Sequence, residues 1–382
     1  MAYDICIRGA GIVGRTLALM LARERFRVAL VASPSPASAL PDVRAYSLNE
    51  RAVALLDALR CWPPAPAVTP VHRMQVWGDD GGQLQFDATD LGQGPLNWMV
   101  DVPVLEERLA QAVAFQPQIE TLAEPASAPL TVICEGRASQ TRASLGVEFE
   151  VHPYPHHALA ARLHTERPHE GVARQWFRMG PAPSANGPRG EVLALLPLGG
   201  ENGQEVALVW SVDPGRAQEL LAMPADLFAL ELQAACGAAL GPMQLVSERA
   251  LWPLQQARAS RWIGHLPGTG RQAFALAGDA AHAMHPLAGQ GLNVGLADVA
   301  ELVDVLRQRE SFRELSDLRL LRRYERARQA DVMAMGCVTE GLQRLFAKPD
   351  PLMTPLRNWG LKAFDHSGAL KHWITRQAMG AH

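Results

Sequence analysis

The chain has 382 residues, of which 48% are hydrophobic, enough to form one or two buried cores. Its formal charge of −3 provides no basic surface for a polyanion, which argues against nucleic-acid binding. The five cysteines are odd in number and include no Cys-x-x-Cys pair, so we expect a reducing compartment and no disulfide framework.

No apolar run approaches the roughly 20 residues that a membrane-spanning helix needs. The apolar start of the chain lacks the basic segment that opens a signal peptide, and Arg8 interrupts it. We therefore expect a soluble, cytoplasmic protein, with peripheral contact at the inner face of the cell membrane as an open alternative.

The N-terminal region is predicted to form a strand over 3–8, a tight turn, a helix over 15–25 and a strand over 28–31. This β-turn-α-β order requires parallel strands. The turn is Gly9-Ala-Gly-Ile-Val-Gly14, and its glycines suit a sharp turn, backbone approach to a pyrophosphate and close helix–strand contact. The helix N-terminus offers unpaired N–H groups to the anion. The pattern predicts a dinucleotide site, and a merely tight turn is the competing interpretation.

One part of the dinucleotide pattern is missing. The second strand should end in an acidic residue that binds the adenosine ribose. That position holds Ala32, and no carboxylate occurs until Asp42. We therefore expect a lost ribose contact and weaker cofactor binding, with the pyrophosphate site intact.

The middle of the chain changes from mixed to strand-rich patterns. The first part is predicted as a loop over 33–41, a helix over 46–59 ended by prolines in 63–70, two strands within 74–86, a helix over 104–113 and a strand over 131–134. From 146 to about 262 the predicted strands are 158–164, 172–178, 191–196 and 205–212, interrupted by a helix over 217–236. This region is the candidate substrate domain.

A second chemical signal begins at Gly278, after a buried strand over 273–276. Asp279 stands at a strand end, where a carboxylate suits a sugar hydroxyl. Gly289 and Gly291 open a helix predicted over 291–308, whose N–H groups suit a negative charge on a bound ring. An ordinary glycine-rich loop is the alternative. The tail from 314 is predicted to be helical, with a break near 349–351.

Histidines raise the question of a metal site. His282 and His285 are three residues apart, but Pro286 breaks the helix that such a pair would need, and no third ligand is evident. His152, His156 and His157 stand in a proline-containing stretch that we expect to be a solvated loop. We therefore expect no metal.

Together these segments resemble the class A flavoprotein monooxygenases, and within them the ubiquinone-biosynthesis hydroxylases. Three family motifs carry the resemblance: the glycine motif at 9–14, the DG motif at 134–142 and the GD motif at 278–293. The DG motif matches at Gly136, Ser139 and Arg142. Weaker likenesses to the ubiquinone branch lie at 42–44, 173–177, 196–198, 252–254 and 370–380. Two departures, Ala32 and Glu135 in place of acidic and aspartate residues, both fall on the adenosine and pyrophosphate side.

The resemblance implies an α/β fold. It consists of a Rossmann-like FAD-binding domain, an inserted mostly-β substrate domain as in p-hydroxybenzoate hydroxylase, and a C-terminal helical segment. The expected boundaries are 1–72, 98–148 and 263–330 for the discontinuous FAD-binding domain, 73–97 and 149–262 for the substrate domain, and 331–382 for the C-terminal segment.

The resemblance also implies an activity. FAD, reduced by NADPH or NADH as a transient donor, would use O2 to hydroxylate a small aromatic substrate, a phenol or a prenylated quinone precursor. Asp279 is implied to bind the ribityl chain and Arg44 the ribityl-phosphate side. The implied cofactor-binding residues are Gly9, Gly11, Ile12, Val13, Gly14, Arg44, Gly136, Asp279, Gly289, Gly291, Leu292 and Asn293. The implied catalytic residues at the ring are His285, Pro286, Gly289, Gln290 and Gly291.

Several alternatives stay open at this level. The chain could be a flavin oxidase or reductase on the same fold, or a non-catalytic member of a quinone-biosynthesis complex, and it could form a homodimer. No substrate base can be named, and Leu196, Pro197, Leu198, Trp210 and Trp252 fit a pocket or a core equally well. The tail from 331 has six basic and four acidic residues with Trp359 and Trp373. A helical cap on the FAD-binding domain is favoured there over a membrane-surface segment.

Overall fold

The structure is a computed structural model that describes residues 2–32, 43–78, 82–91, 94–179, 190–284 and 291–347. Its helices are α1 Ile12–Arg23, α2 Glu50–Ala58, α3 Val102–Ala114, α4 Gln140–Ser144, α5 Pro214–Ala222, α6 Ala225–Ala235, α7 Gly291–Arg307 and α8 Leu318–Ala347. Its strands are β1 Ile5–Arg8, β2 Val28–Val31, β3 Ala45–Leu48, β4 Val68–Val71, β5 Arg73–Trp77, β6 Gln83–Asp87, β7 Asn97–Asp101, β8 Ile119–Leu122, β9 Leu130–Ile133, β10 Phe149–Thr165, β11 Val172–Met179, β12 Gly190–Pro197, β13 Glu205–Val212, β14 Met243–Leu245, β15 Ala250–Ala259, β16 Ile263–His265, β17 Ala273–Leu276 and β18 His282–Ala283.

The first sheet has the order β16-β17-β9-β1-β2-β8. All neighbours pair in parallel except β16 with β17. Strands β2, β9 and β17 are buried at every residue, as expected when helices cover both faces of a parallel sheet. Read across the sheet from β8, the five parallel strands are β8, β2, β1, β9 and β17, which are the third, second, first, fourth and fifth of them in the chain. This order is the doubly wound dinucleotide-binding arrangement. The predicted Rossmann-like α/β fold is confirmed.

The largest sheet has the order β18-β15-β10-β13-β12-β11-β5-β6, and β14 pairs with β10. Burial alternates along β12, as a strand with two different faces requires. One face packs under α5 and α6, where Trp210 and Phe228 are fully buried. The opposite face carries Arg162, which pairs with Asp101 at the N-terminus of α3.

A third sheet, β3-β7-β4, is small and antiparallel and lies between the other two in the packing. Val71 and Met99 from this sheet share an apolar cluster with Ala173 and Ala207 of the largest sheet and with Leu198, just after β12. Leu48 and Val100 of the small sheet belong instead to the core of the parallel sheet, so the small sheet packs against both large ones.

The sequence-based elements were right where the pattern was strong. The strands predicted at 28–31, 172–178, 191–196, 205–212 and 273–276 are confirmed, as are the helices at 104–113 and 291–308 to within a few residues. The predicted domain boundaries stay a prediction, and α8 runs through the expected boundary at 330/331 without a break. The predicted loop at 33–41 and the break at 349–351 lie outside the described residues. No helix in the described ranges is long and apolar enough to cross a membrane.

The predicted helix over 46–59 was wrong in its first residues. Residues 45–48 form β3, which pairs with β7, and the helix starts only at Glu50 because the Asn49 side chain accepts a hydrogen bond from the N–H of Ala52. Pairing across the chain therefore overrides the local helical pattern.

Two further expectations were wrong. The helix over 217–236 is two helices, α5 and α6, because Pro224 restricts the residue before it to extended backbone and lacks an N–H donor. The stretch with His152, His156 and His157 is part of β10, paired with β15 across a register shift, rather than a loop.

Candidate functional site

Three sequence motifs meet at one edge of the parallel sheet. Strands β17, β9 and β1 are neighbours, and their last residues Leu276, Ile133 and Arg8 lie in register. The glycine motif follows β1, the DG motif follows β9 and the GD motif follows β17. The sheet order reverses between β1 and β9, and open α/β sheets bind ligands in the crevice at such a reversal, at the carboxyl ends of the strands. The motifs therefore define one candidate site.

Two positions in the glycine loop after β1, Gly9 and Gly14, have room only for glycine. Gly9 has a φ of +108°, and a Cβ there would overlap the carbonyl group of Cys134. A Cβ on Gly14 would overlap the carbonyl oxygen of Gly9. At Gly11 a Cβ would meet nothing within 4 Å, so the backbone there is open to a ligand.

Helix α1 begins in this loop with Gly11 as its N-cap and no side-chain cap. Its first internal bond is donated by Arg15 to the carbonyl of Gly11, so the N–H groups of Ile12, Val13 and Gly14 have no partner within the helix. These donors and the positive end of the helix suit a phosphate.

The carboxylate of Glu135 in the DG motif is bound by the protein itself. Its Oε1 accepts from Arg8 Nε (3.0 Å) and Thr141 Oγ1 (2.6 Å), and its Oε2 accepts from Ser139 Oγ (2.7 Å) and the Thr141 N–H (3.1 Å). Burial alone would raise the pKa of Glu135, but the hydrogen bonds from Thr141 and Ser139 outweigh it and hold the pKa below its usual value. Glu135 therefore joins β1, β9 and α4.

The last matching residue of the DG motif, Arg142, ties that motif to the GD motif. Its guanidinium is buried, donates to the carbonyl oxygens of Ala280 (3.0 Å) and Arg137 (2.7 Å), and lies over the ring of Phe149. Gly136 has a φ of +77°, a conformation that favours glycine at this turn.

Asp279 of the GD motif lies in the cleft between the motifs. Half of its side chain is exposed (51%), yet protein surrounds it closely enough that desolvation raises the pKa of its carboxyl, while Arg137 and Arg44 act in the opposite direction. Its carboxylate lies 3.8 Å from Arg137 Nε, a long contact between two half-exposed groups. The cleft thus has a carboxylate with two arginines near it.

Arg44 is held beside the cleft by its neighbours. Its guanidinium donates to the hydroxyl of Tyr46 (3.2 Å), and its carbonyl oxygen accepts from Arg162 (3.4 Å). Arg162 in turn binds Asp101 through both terminal nitrogens (2.7 and 3.2 Å). This chain of contacts runs from the largest sheet to the cofactor side of the molecule.

Helix α7 begins at Gly291, which together with Leu292 and Asn293 opens its first turn. The side chain of Asn293 is buried and bound by the protein, since it accepts from the N–H of Asn49 (3.0 Å) and donates to the carbonyl of Ser47 (2.8 Å). We therefore expect a ligand to meet the main chain of Asn293 rather than its side chain. His285, Pro286, Gly289 and Gln290 lie outside the described residues.

A buried polar cluster supports the GD turn from behind. Asp298 of α7 is fully buried and accepts from the Gly278 N–H (2.8 Å), His282 Nε2 (2.7 Å) and Arg328 Nε (2.8 Å). Burial opposes its charge, but His282 and Arg328 outweigh burial and hold the pKa of Asp298 below its usual value. The ring of His282 stacks on Trp262 at 4.9 Å.

The sequence analysis missed Arg137, Asp298 and Arg328. Asp298 lies on α7, but no local sequence pattern indicates that its carboxylate binds the Gly278 N–H after β17. No group of three metal-ligating side chains lies within the described ranges. Trp210 is a core residue rather than a pocket residue, since it packs against Phe228 at 6.3 Å.

The donor set fits FAD. A pyrophosphate needs close backbone approach and unpaired N–H groups, which the open position at Gly11 and the first turn of α1 provide. A sugar alcohol chain needs a partly exposed carboxylate nearby, which Asp279 provides. The residue after β2 is Ala32, whose N–H donates to the carbonyl of Leu122 and whose side chain has no carboxylate to offer a ribose.

Comparisons with known proteins agree with this assignment. The FAD binding domain family matches residues 111–339. The chain is 30% identical to 3-demethoxyubiquinol 3-hydroxylase of Escherichia coli, over 99% of the chain and 98% of that protein. It is 32% identical to the ubiquinone hydroxylase UbiL of Rhodospirillum rubrum, over 99% and 89%. Among solved structures, p-nitrophenol 4-monooxygenase PnpA from Pseudomonas putida has a TM-score of 0.74 at 17% identity and covers 100% of this chain and 99% of its own, a likeness of fold.

Proposed function

Because the chain belongs to the class A FAD-dependent aromatic monooxygenases, the group that includes the ubiquinone-biosynthesis hydroxylases, we propose that it hydroxylates the phenolic ring of a prenylated quinone precursor. The reaction uses NADPH or NADH and O2. The observation that carries the proposal is the meeting of the three motifs at the carboxyl ends of β1, β9 and β17. The similarity over 99% of the chain to a 3-demethoxyubiquinol 3-hydroxylase and to a ubiquinone hydroxylase supports the choice of substrate.

When bound, FAD would supply the redox chemistry: it takes electrons from the nicotinamide and passes them to O2. The residues of this chain bind and orient it. The turn at Gly11 and the first turn of α1 would hold the pyrophosphate, Asp279 the ribityl chain, and Arg44 the ribityl-phosphate side. The first N–H groups of α7, at Gly291 and Leu292, would stabilise negative charge on the reduced ring.

The face of the largest sheet that carries Arg162 offers an apolar surface for the substrate. Val209 pairs with Ala160 on one side and Ala194 on the other, so all three lie on this face. Val209 and Ala194 are half-buried apolar residues, unlike the fully buried residues under α5 and α6. Apolar surface with few polar groups is what an aromatic ring with a prenyl chain requires.

The first test is the visible spectrum of the purified protein, with FAD titrated in, followed by NADPH oxidation with a prenylated phenol. A flavin spectrum and a product that carries one atom of 18O from 18O2 are expected. Oxidation without oxygen in the product would favour the oxidase or reductase alternative. A protein that stays colourless at saturating FAD would refute the proposal and leave the non-catalytic alternative.

The substrate face has its own test. Val209→Arg places a charge on the apolar surface and is expected to raise KM about tenfold or more, with FAD affinity unchanged. Val151→Arg, at an exposed position of the same sheet (44%), is the matched control and should leave KM unchanged. Equal KM values for the two variants would place the substrate elsewhere.

Membrane contact, a homodimer and membership of a quinone-biosynthesis complex are finer proposals, and membrane contact is the one that follows from a prenylated substrate. Helix α6 presents Leu227 and Leu230 three residues apart, 51% and 62% exposed. We expect the protein to sediment with phospholipid vesicles and the Leu227→Glu, Leu230→Glu variant to stay in solution. Sedimentation without vesicles distinguishes a monomer from a homodimer.

A further inference from the structure

Asp298 is a charged residue with no exposed surface, placed where its carboxylate reaches three parts of the fold. It lies on α7 and binds Gly278 after β17, His282 in β18 and Arg328 in α8. Since the carboxylate can only accept, the Nε2 of His282 carries the proton in this contact. Burying such a charge is costly unless its partners fix it well, and here all three donors lie within 2.8 Å.

The hydrogen bond to Gly278 acts on the turn that carries Asp279. Gly278 has a φ of +61°, and a Cβ there would lie 3.2 Å from Val13. A Cβ at Gly295, one turn before Asp298 on α7, would lie 2.9 Å from the same side chain. The turn is thus packed closely against α1 and α7, and its glycine has no side chain by which to be held. The Asp298 carboxylate is what fixes its main-chain N–H.

We propose that Asp298 is a positioning residue for FAD. By holding the Gly278 N–H, it keeps the GD turn in the conformation in which Asp279 faces the cleft and can bind the ribityl chain. Arg328 supplies the counter-charge that allows the carboxylate to stay ionised inside the protein. The inference rests on the proposed function, because it assigns Asp279 to the ribityl half of FAD.

The Asp298→Asn variant shows whether Asp298 affects binding of the ribityl and ring half of FAD or of its ADP half. The amide oxygen is drawn to the Arg328 guanidinium, which leaves the amide NH2 facing His282 Nε2 and the Gly278 N–H, and the Gly278 N–H loses its acceptor. We expect the Kd for FAD to rise about tenfold, the loss of one hydrogen bond to a charged group. The Kd for ADP should change less than about twofold, because ADP has the pyrophosphate but no ribityl chain or ring.

A second variant protects the test against misfolding, since Asp298→Asn leaves Arg328 without its buried counter-charge. Asp298→Leu with Arg328→Met replaces the buried ion pair by apolar side chains, a change that is often neutral for stability. It leaves the Gly278 N–H without an acceptor, so we expect the same rise in the Kd for FAD relative to the Kd for ADP. Asp331→Asn is the matched control, because Asp331 binds the same Arg328 (2.6 Å) from an exposed position.

FAD affinity is measured by quenching of flavin fluorescence on the full-length apo-protein, and ADP affinity by calorimetry. The expected result is a raised ratio of the FAD Kd to the ADP Kd in both Asp298 variants and an unchanged ratio in Asp331→Asn. If FAD and ADP weaken together, or neither weakens, Asp298 is only a structural residue and the inference is overturned. Wild-type protein that binds ADP but not FAD would overturn the proposed function, and the inference with it.

Discussion

Replacing Glu135 by glutamine tests how the DG motif is held together. One side-chain oxygen becomes an NH2 group, which faces either Arg8 Nε or the Thr141 N–H, according to which oxygen it replaces. Neither of these donors can accept a hydrogen bond, so one of them is left unpaired in either orientation. The hydroxyl groups of Ser139 and Thr141 can rotate to accept, and they limit the loss.

The expected cost is about 2 kcal/mol of unfolding free energy, from one partly buried donor left without a partner and the lost ion pair with Arg8. Urea denaturation of the apo-protein at pH 7 measures it. Glu107→Gln is the control, since Glu107 is exposed and its carboxylate accepts a hydrogen bond from Gln111 (3.1 Å) on the same helix, and it should cost less than about 0.5 kcal/mol.

The stabilisation by Glu135 should depend on pH. The pKa of Glu135 is lowered in the folded protein, so its stabilisation is complete above the unfolded pKa of about 4.3 and is lost as the pH falls through the folded pKa. The difference between wild type and Glu135→Gln should therefore shrink towards pH 3. A difference below about 0.5 kcal/mol at pH 7, or one that is the same at both pH values, would refute this account of the motif.

Three further changes test the rest of the site. Gly14→Ala forces a Cβ against the carbonyl oxygen of Gly9 and should weaken FAD binding about tenfold or more, measured as the flavin retained after gel filtration; unchanged retention would contradict the loop geometry. Ala32→Asp restores a carboxylate at the end of β2 and should tighten FAD about threefold to tenfold by fluorescence titration, while Ala32→Asn gains less. Asn293→Leu removes the amide that links α7 to the segment before α2 and should cost about 2 kcal/mol in urea denaturation; a loss under 0.5 kcal/mol would show that the link is dispensable.

Much of this site could be predicted because its parts are local. The glycine spacing at 9–14 fixes a turn through contacts between near neighbours, and the apolar runs at 28–31 and 273–276 indicate buried parallel strands. The resemblance assigned Gly11, Gly136 and Asp279 to one cofactor, and the structure brings the strands before them to one edge of the parallel sheet. The full-length resemblance supplied the cofactor.

The errors have equally specific causes. Residues 46–48 have a helical pattern but form a strand, because β7 lies beside them in the folded protein. The division of the helix at Pro224 was visible in the sequence, since proline ends a helix at the residue before it. The sequence could not predict how exposed Asp279 is, or that the Glu135 carboxylate binds Arg8 and Thr141. Both depend on side chains that only the folded chain brings together.

The sequence by itself determined the loops that we propose to bind the cofactor, because glycine conformations and strand ends are set over a few residues. Only the tertiary structure decided what holds those loops. Asp298 meets Gly278, His282 and Arg328 from separate elements, and Arg162 meets Asp101 and Arg44 across two sheets. A buried charge has no local signature, because its free energy depends on partners that only folding brings within hydrogen-bond distance.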